Sequence, residues 1–130
     1  MNLNIPRIDL DAEINGRWHT FQGDIKLKIA RMNNEDFIAG IAEMRDLVEE
    51  EEPTEDERGK MLALLYARYI LRDWSGVIDK DTKKPVPYTP DAGSQILEQK
   101  QYKELLNFVV KRSASSSENW EEKTQAMGEG

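Results

Sequence analysis

Apolar and polar residues alternate along two segments near the start of the chain. In residues 24–31, Ile25, Leu27 and Ile29 alternate with charged side chains, and residues 7–14 repeat the alternation. A period of two is typical of a strand that buries one face. Turn-favouring Asn15-Gly16 and Gln22-Gly23 lie between these segments. Residues 5–32 therefore predict a small antiparallel sheet of two or three strands, a hairpin that must pack against helices.

Beyond Asn33-Asn34 the spacing of apolar residues becomes helical. These asparagines suit an N-cap, and Glu35 and Asp36 complement the helix dipole. Four glutamates and then Pro53 end the helix, because proline cannot continue it. The apolar stripe of this predicted helix consists of Phe37, Ile38, Ile41, Met44, Leu47 and Val48.

A second helix is predicted to begin at Thr54. Thr54 and Glu57 have the spacing of a capping box, in which each side chain satisfies a backbone N–H near the other residue. We expect this helix to be the central and most buried one, with Tyr66, Tyr69 and Trp74 in the core. Its apolar side chains are Met61, Leu62, Leu65, Tyr66, Tyr69, Ile70 and Trp74.

A third helix follows a proline-rich loop over residues 75–90. Thr89 is its expected N-cap with Pro90 at the first helical position, and a break is expected near Lys100-Gln101.

The predicted fold class is α+β and mainly helical, with the small N-terminal antiparallel sheet followed by three or four packed helices. We expect one globular domain over residues 1–112, with its helical part at 34–112, and a polar tail at 113–130.

The composition restricts the chemistry available to the chain. It has 130 residues, a net charge of −7, one histidine and no cysteine, which excludes disulfides, thiolate nucleophiles and cysteine metal sites. Residues 43–60 contain nine acids and three bases, so the acidity is concentrated there. The acidic balance argues against nucleic acid as a partner. The start lacks the apolar core of a secretory signal, and the longest apolar run, residues 61–67, is too short to span a bilayer. We expect a cytoplasmic protein.

Candidate catalytic and metal-binding patterns are weak. Residues 79–84 begin like a calcium loop, but Lys84 replaces the required glycine, so a polar turn is the better interpretation. His19 has no nucleophile motif beside it, and no glycine-rich phosphate loop occurs. We therefore predict no enzyme activity, no metal and no cofactor.

Two features are candidates for partner binding. Glu49, Glu50, Glu51 and Glu52 form an acidic turn, which we interpret first as a solvated connection between helices and second as a docking site for a basic protein surface. Trp120 lies in an otherwise polar tail, where it is either an anchor that folds back onto the core or an exposed contact residue.

One ordered set of short motifs resembles a known group. Residues 74–79 read Trp-Ser-Gly-Val-Ile-Asp, residues 85–92 read Pro-Val-Pro-Tyr-Thr-Pro-Asp-Ala, and Ile96-Leu97 follow. Over about residues 66–110 this pattern resembles the tail assembly chaperones of long, non-contractile-tailed bacteriophages. Lys83-Lys84 stand where such proteins often have a glycine, which leaves the turn type open. The matching residues, here called the loop motif, are Trp74, Gly76, Val77, Asp79, Pro87, Tyr88 and Thr89.

The resemblance implies a non-enzymatic assembly factor. Such proteins keep the tape measure protein soluble in the host cell cytoplasm, help recruit tail tube subunits and are absent from the mature virion. A frameshifted longer product is common among them. The alternatives are a structural tail or head–tail connector component and a small acidic protein-binding module. A chaperone also exposes apolar surface, so we expect weak homo-oligomers.

Overall fold

The computed structural model describes residues 3–5 and 10–114. Its fold is α+β and mainly helical, which confirms the predicted class. In chain order the elements are α1 (Leu10–Asn15), β1 (Arg17–Gln22), β2 (Ile25–Ile29), α2 (Glu35–Glu51), α3 (Glu55–Tyr69), β3 (Leu71–Ser75), α4 (Pro90–Leu97), a 3₁₀ turn (Lys100–Tyr102) and α5 (Lys103–Ser113).

The sheet has three antiparallel strands in the order β1-β2-β3. In its register Leu27 lies opposite both His19 and Trp74. Leu27 and Ile29 are fully buried on the inner face, and Phe108 of α5 packs edge-to-face on Phe21 with ring centroids 5.2 Å apart. The helices therefore cover one face of the sheet.

The first predicted strand is wrong over its described part. Residues 10–15 form α1, in which the Asn15 side chain donates a hydrogen bond to Asp11 at 2.6 Å, one helical turn away. Glu13 ties α1 to the end of β2, since its backbone carbonyl accepts from Arg31 N–H and its carboxylate pairs with the Arg31 guanidinium at 3.2 Å. Residues 6–9 lie outside the described residues.

The predicted central helix is five residues too long, because α3 ends at Tyr69 and Trp74 belongs to β3. The register of β2 against β3 shifts between Lys28 and Ile29. This irregularity turns Leu71 and Trp74 to the same buried side although they are three residues apart. A bulged strand can thus imitate helical spacing in the sequence.

Helices α2 and α3 form a long antiparallel hairpin. Asn34 and Thr54 cap them as predicted: Asn34 Oδ1 accepts from Phe37 N–H at 2.8 Å, and the Thr54–Glu57 capping box is complete. Phe37 and Tyr66 meet edge-to-face at 5.0 Å. The buried core consists of Leu27, Ile29, Phe37, Ala63, Tyr66, Ala67, Ile70, Leu71, Trp74, Leu97 and Val109.

The later helices follow the prediction closely. Thr89 Oγ1 accepts from Ala92 N–H at 3.0 Å and Pro90 occupies the first turn of α4. The expected break is real, because α4 ends at Leu97 and a 3₁₀ turn separates it from α5. Ser113, placed at the start of the predicted tail, is the buried last residue of α5. No helix within residues 3–5 and 10–114 is long and apolar enough to cross a membrane.

Candidate functional site

The loop motif is assembled around two aromatic rings. Trp74 and Tyr88 pack edge-to-face, with centroids 4.9 Å apart and planes at 83°. Trp74 is 6% exposed, and its indole N–H donates to the carbonyl oxygen of Val86 at 2.7 Å. The loop is therefore held to β3 by one ring contact and one hydrogen bond from the same tryptophan.

Tyr88 joins the loop to the end of α3. Its hydroxyl donates to the carbonyl oxygen of Leu71 at 2.7 Å, and the carbonyl of Ala67 lies within hydrogen-bonding distance of the same hydroxyl. Burial raises the pKa of the Tyr88 phenol far above its ordinary range, with the nearby Arg72 charge opposing that rise. The phenol thus remains a neutral donor at the junction of α3 and β3.

Gly93 lets α4 approach Tyr88. A β-carbon at this position would lie 2.7 Å from Cε1 of the Tyr88 ring. Any larger residue would push the ring away from α4, which Thr89 caps directly after Tyr88. Glycine and tyrosine therefore form one packing unit, and Thr89 fixes where the helix starts.

Gly76 directly follows strand β3. Its φ of +80° lies in the left-handed region, and an added β-carbon would overlap the carbonyl oxygen of Asp24 in the β1–β2 turn. The next residue, Val77, accepts a hydrogen bond from Val86 N–H at 2.9 Å. The chain thus passes from the sheet into the loop at Gly76, a position that only glycine fits.

Asp79 organises the tip of the loop. Its Oδ1 accepts from Asp81 N–H at 2.8 Å, and its backbone N–H donates to Lys84 at 3.0 Å. Lys83 has a φ of +62°, so this chain makes the left-handed turn at the position where a glycine was expected. These contacts confirm a polar turn over residues 79–84. Pro87, further along the loop, is exposed.

The acidic turn lies at the far end of the α2–α3 hairpin. Glu49, Glu50 and Glu51 occupy the last turn of α2, and Glu52 is its left-handed C-cap with a φ of +46°. All four are exposed, and none makes an ion pair with another described residue. Negative charge at a helix C-terminus is unfavourable, because the helix dipole is negative there.

The acids that follow the turn are better placed. Glu57 closes the capping box, and hydrogen bonds from the Thr54 backbone and side chain lower the pKa of its carboxyl.

Among the residues that the structure describes, no three His, Asp or Glu side chains come together as possible metal ligands. Trp120, the other predicted contact residue, lies outside the described residues.

Sequence reasoning missed an exposed aromatic residue on the sheet. Trp18 is 47% exposed on β1, opposite Lys28 of β2. The prediction assigned it to no strand face, because the hairpin register decides which face it joins. Side chains alternate between the two faces of a strand, so Trp18 lies on the opposite face from the less exposed His19 and Phe21. That period of two is the signal that could have shown Trp18 to be exposed.

Comparison with known proteins places the chain in a phage-derived group. A model of the YdaY prophage protein family matches residues 22–130. The chain belongs to the YdaY prophage protein family. The family match begins at the end of β1 and includes the whole loop motif. Neither the curated proteins nor the solved structures gave a match.

Proposed function

We propose that this YdaY prophage protein is a non-enzymatic tail assembly chaperone. It binds the tape measure protein, helps recruit tail tube subunits in the host cell cytoplasm, and is absent from the mature virion. The observation that carries the proposal is the order and spacing of the loop motif, which resembles that of tail assembly chaperones. Membership of a prophage family supports a phage role.

The surface of the protein suits this role. Ile38 and Leu47 on α2 are 52% and 42% exposed, and Leu64 on α3 is also exposed. A factor that keeps a helical client soluble needs apolar side chains to cover the client's apolar stripes. The described side-chain contacts of Trp74, Asp79 and Tyr88 in the loop motif are made within the chain, so the client is expected to contact the helices.

Co-expression with the tape measure protein of the same prophage tests the proposal. The expected result is more soluble tape measure protein and a complex that can be pulled down. Ile38→Ser with Leu47→Ser should weaken the complex, whereas Ile78→Ser, which changes an exposed residue of the loop, is the matched control. Unchanged solubility together with no complex would contradict the proposal. Detection of the protein in purified particles by mass spectrometry would instead favour a structural tail or head–tail connector component.

The acidic turn supports a second candidate, a protein-binding module for a basic partner. The side chains of these four adjacent glutamates form no ion pair with another described residue, so they are available to an external basic surface. Under this function, changing Glu49, Glu50, Glu51 and Glu52 to Gln should abolish binding of the partner. The chaperone function instead predicts that the tape measure complex survives these changes.

A further inference from the structure

The side of the sheet opposite the Leu27 and Ile29 side chains is largely exposed among the residues that the structure describes. The strand register places two rows of side chains there: Trp18, Lys28 and Asp73 in one row, and Thr20, Lys26 and Ser75 in the other. We call these six residues the outer sheet face. All are exposed except Lys28, which is half-buried, so the face is a polar surface with one large exposed aromatic ring.

The outer sheet face has a net charge of +1, from Lys26 and Lys28 against Asp73. Asp73 is the one acid on it, and its Oδ1 accepts from Trp74 N–H at 2.8 Å. Neither Lys26 nor Lys28 forms an ion pair with another described residue. Two ammonium groups beside an exposed tryptophan are suited to an acidic protein surface, since aromatic side chains often dominate the energy of such contacts.

The acidic turn has the complementary charge but lies too far away to reach the face in the same molecule. The base of the α2–α3 hairpin lies beside the sheet, because Ala30 N–H donates to the Ile70 carbonyl at 2.7 Å. From there α2 runs for 17 residues, about 25 Å at the helical rise per residue. The turn therefore projects away from its own sheet.

We propose that the acidic turn of one copy docks on the outer sheet face of a second copy. Lys26 and Lys28 pair with the glutamates, and Trp18 supplies the apolar part of the contact. The lysines also relieve the unfavourable negative charge at the C-terminus of α2. Because two different surfaces meet, the contact is head-to-tail, and the pair keeps one free acidic turn and one free outer sheet face for further association.

Charge reversal tests this contact in the full-length chain. Sheet-reversed protein carries Lys26→Glu and Lys28→Glu, and turn-reversed protein carries Glu49→Lys, Glu50→Lys and Glu51→Lys. Lys80→Glu with Lys84→Glu is the matched control, because it changes two exposed lysines outside the face. Circular dichroism and urea unfolding verify that each variant is folded, and sedimentation velocity over a concentration series measures association.

The proposal requires that the wild-type chain and the control associate with increasing concentration. Each reversed variant alone should associate at least about tenfold more weakly, and an equal mixture of the two should regain association. A wild-type chain that stays monomeric up to its solubility limit would overturn the proposal. So would a reversed variant that associates like the wild type, or a mixture that remains monomeric.

Discussion

The Tyr88 hydroxyl donates a hydrogen bond to the Leu71 carbonyl oxygen across 2.7 Å. Leu71 is the first residue of β3 and Tyr88 lies directly before the α4 cap. One phenol thus connects the loop motif to the point at which the chain passes from helix to strand. Its removal should affect the whole domain more than the loop alone.

Tyr88→Phe tests the energetic value of this bond. The carbonyl oxygen of Leu71 loses its phenol donor, so we expect the free energy of unfolding to fall by about 1–2 kcal/mol. Urea unfolding at neutral pH measures the change. Tyr102→Phe, at a tyrosine that is 43% exposed, should leave stability within about 0.5 kcal/mol of wild type. Equal effects of the two substitutions would show that the Tyr88 bond contributes little.

The raised pKa of Tyr88 predicts a loss of stability in alkali. Burial raises the pKa of this phenol in the folded protein, so the unfolded chain releases the proton first. The contribution of the neutral phenol is full below about pH 10 and is lost as the pH rises above that value. The urea midpoint should fall between about pH 8 and about pH 11, and this fall should be smaller in Tyr88→Phe than in wild type. Burial also raises the pKa of Tyr66, so some loss remains in the variant.

Two glycine substitutions should change stability in opposite directions. Gly93→Ala brings a β-carbon within 2.7 Å of the Tyr88 ring, and we expect a loss of about 1–3 kcal/mol. Gly59→Ala adds the same methyl group to α3 where nothing lies within 4 Å. It should stabilise the protein by up to about 1 kcal/mol, since alanine favours helix over glycine. Thermal or urea unfolding of the pair compares them, and a stabilising Gly93→Ala would contradict the packing described around Tyr88.

The charge at the C-terminus of α2 makes a prediction of its own. Changing Glu49, Glu50 and Glu51 to Gln should raise the free energy of unfolding by about 0.3–1 kcal/mol in total, because it removes negative charge from the negative end of the helix dipole. Glu55→Gln with Asp56→Asn should have the opposite sign, since these acids lie in the first turn of α3. Unfolding in low and high salt should show both effects shrinking as salt is added. No dependence on salt would argue against an electrostatic origin.

Local chemistry explains which elements were predictable from sequence. Asn34, Thr54 and Thr89 each cap the helix that was expected after them, because a cap depends on residues three positions apart. Strand β3 was missed because its bulge gives Leu71 and Trp74 the spacing of a helix. Helix α1 was missed because its few apolar residues also fit a strand.

The candidate surfaces depend on long-range contacts that spacing alone does not contain. The loop motif was recognisable as an ordered set, yet the partners of Tyr88 at Ala67 and Leu71 lie 21 and 17 residues away in the chain. The outer sheet face needs the pairing of Trp18 with Lys28 and of Lys28 with Asp73. Only the fold establishes those neighbours.

The α2–α3 hairpin leaves the sheet and returns to it at nearly the same point. Ala30 bonds to Ile70 across its base, and Asn34 Nδ2 lies 3.5 Å from the Tyr69 carbonyl oxygen. The positions of β2 and β3 are therefore independent of how far the hairpin extends. Insertions and deletions near Pro53 should be tolerated by the sheet, so relatives can differ in the length of this arm while they keep the same body.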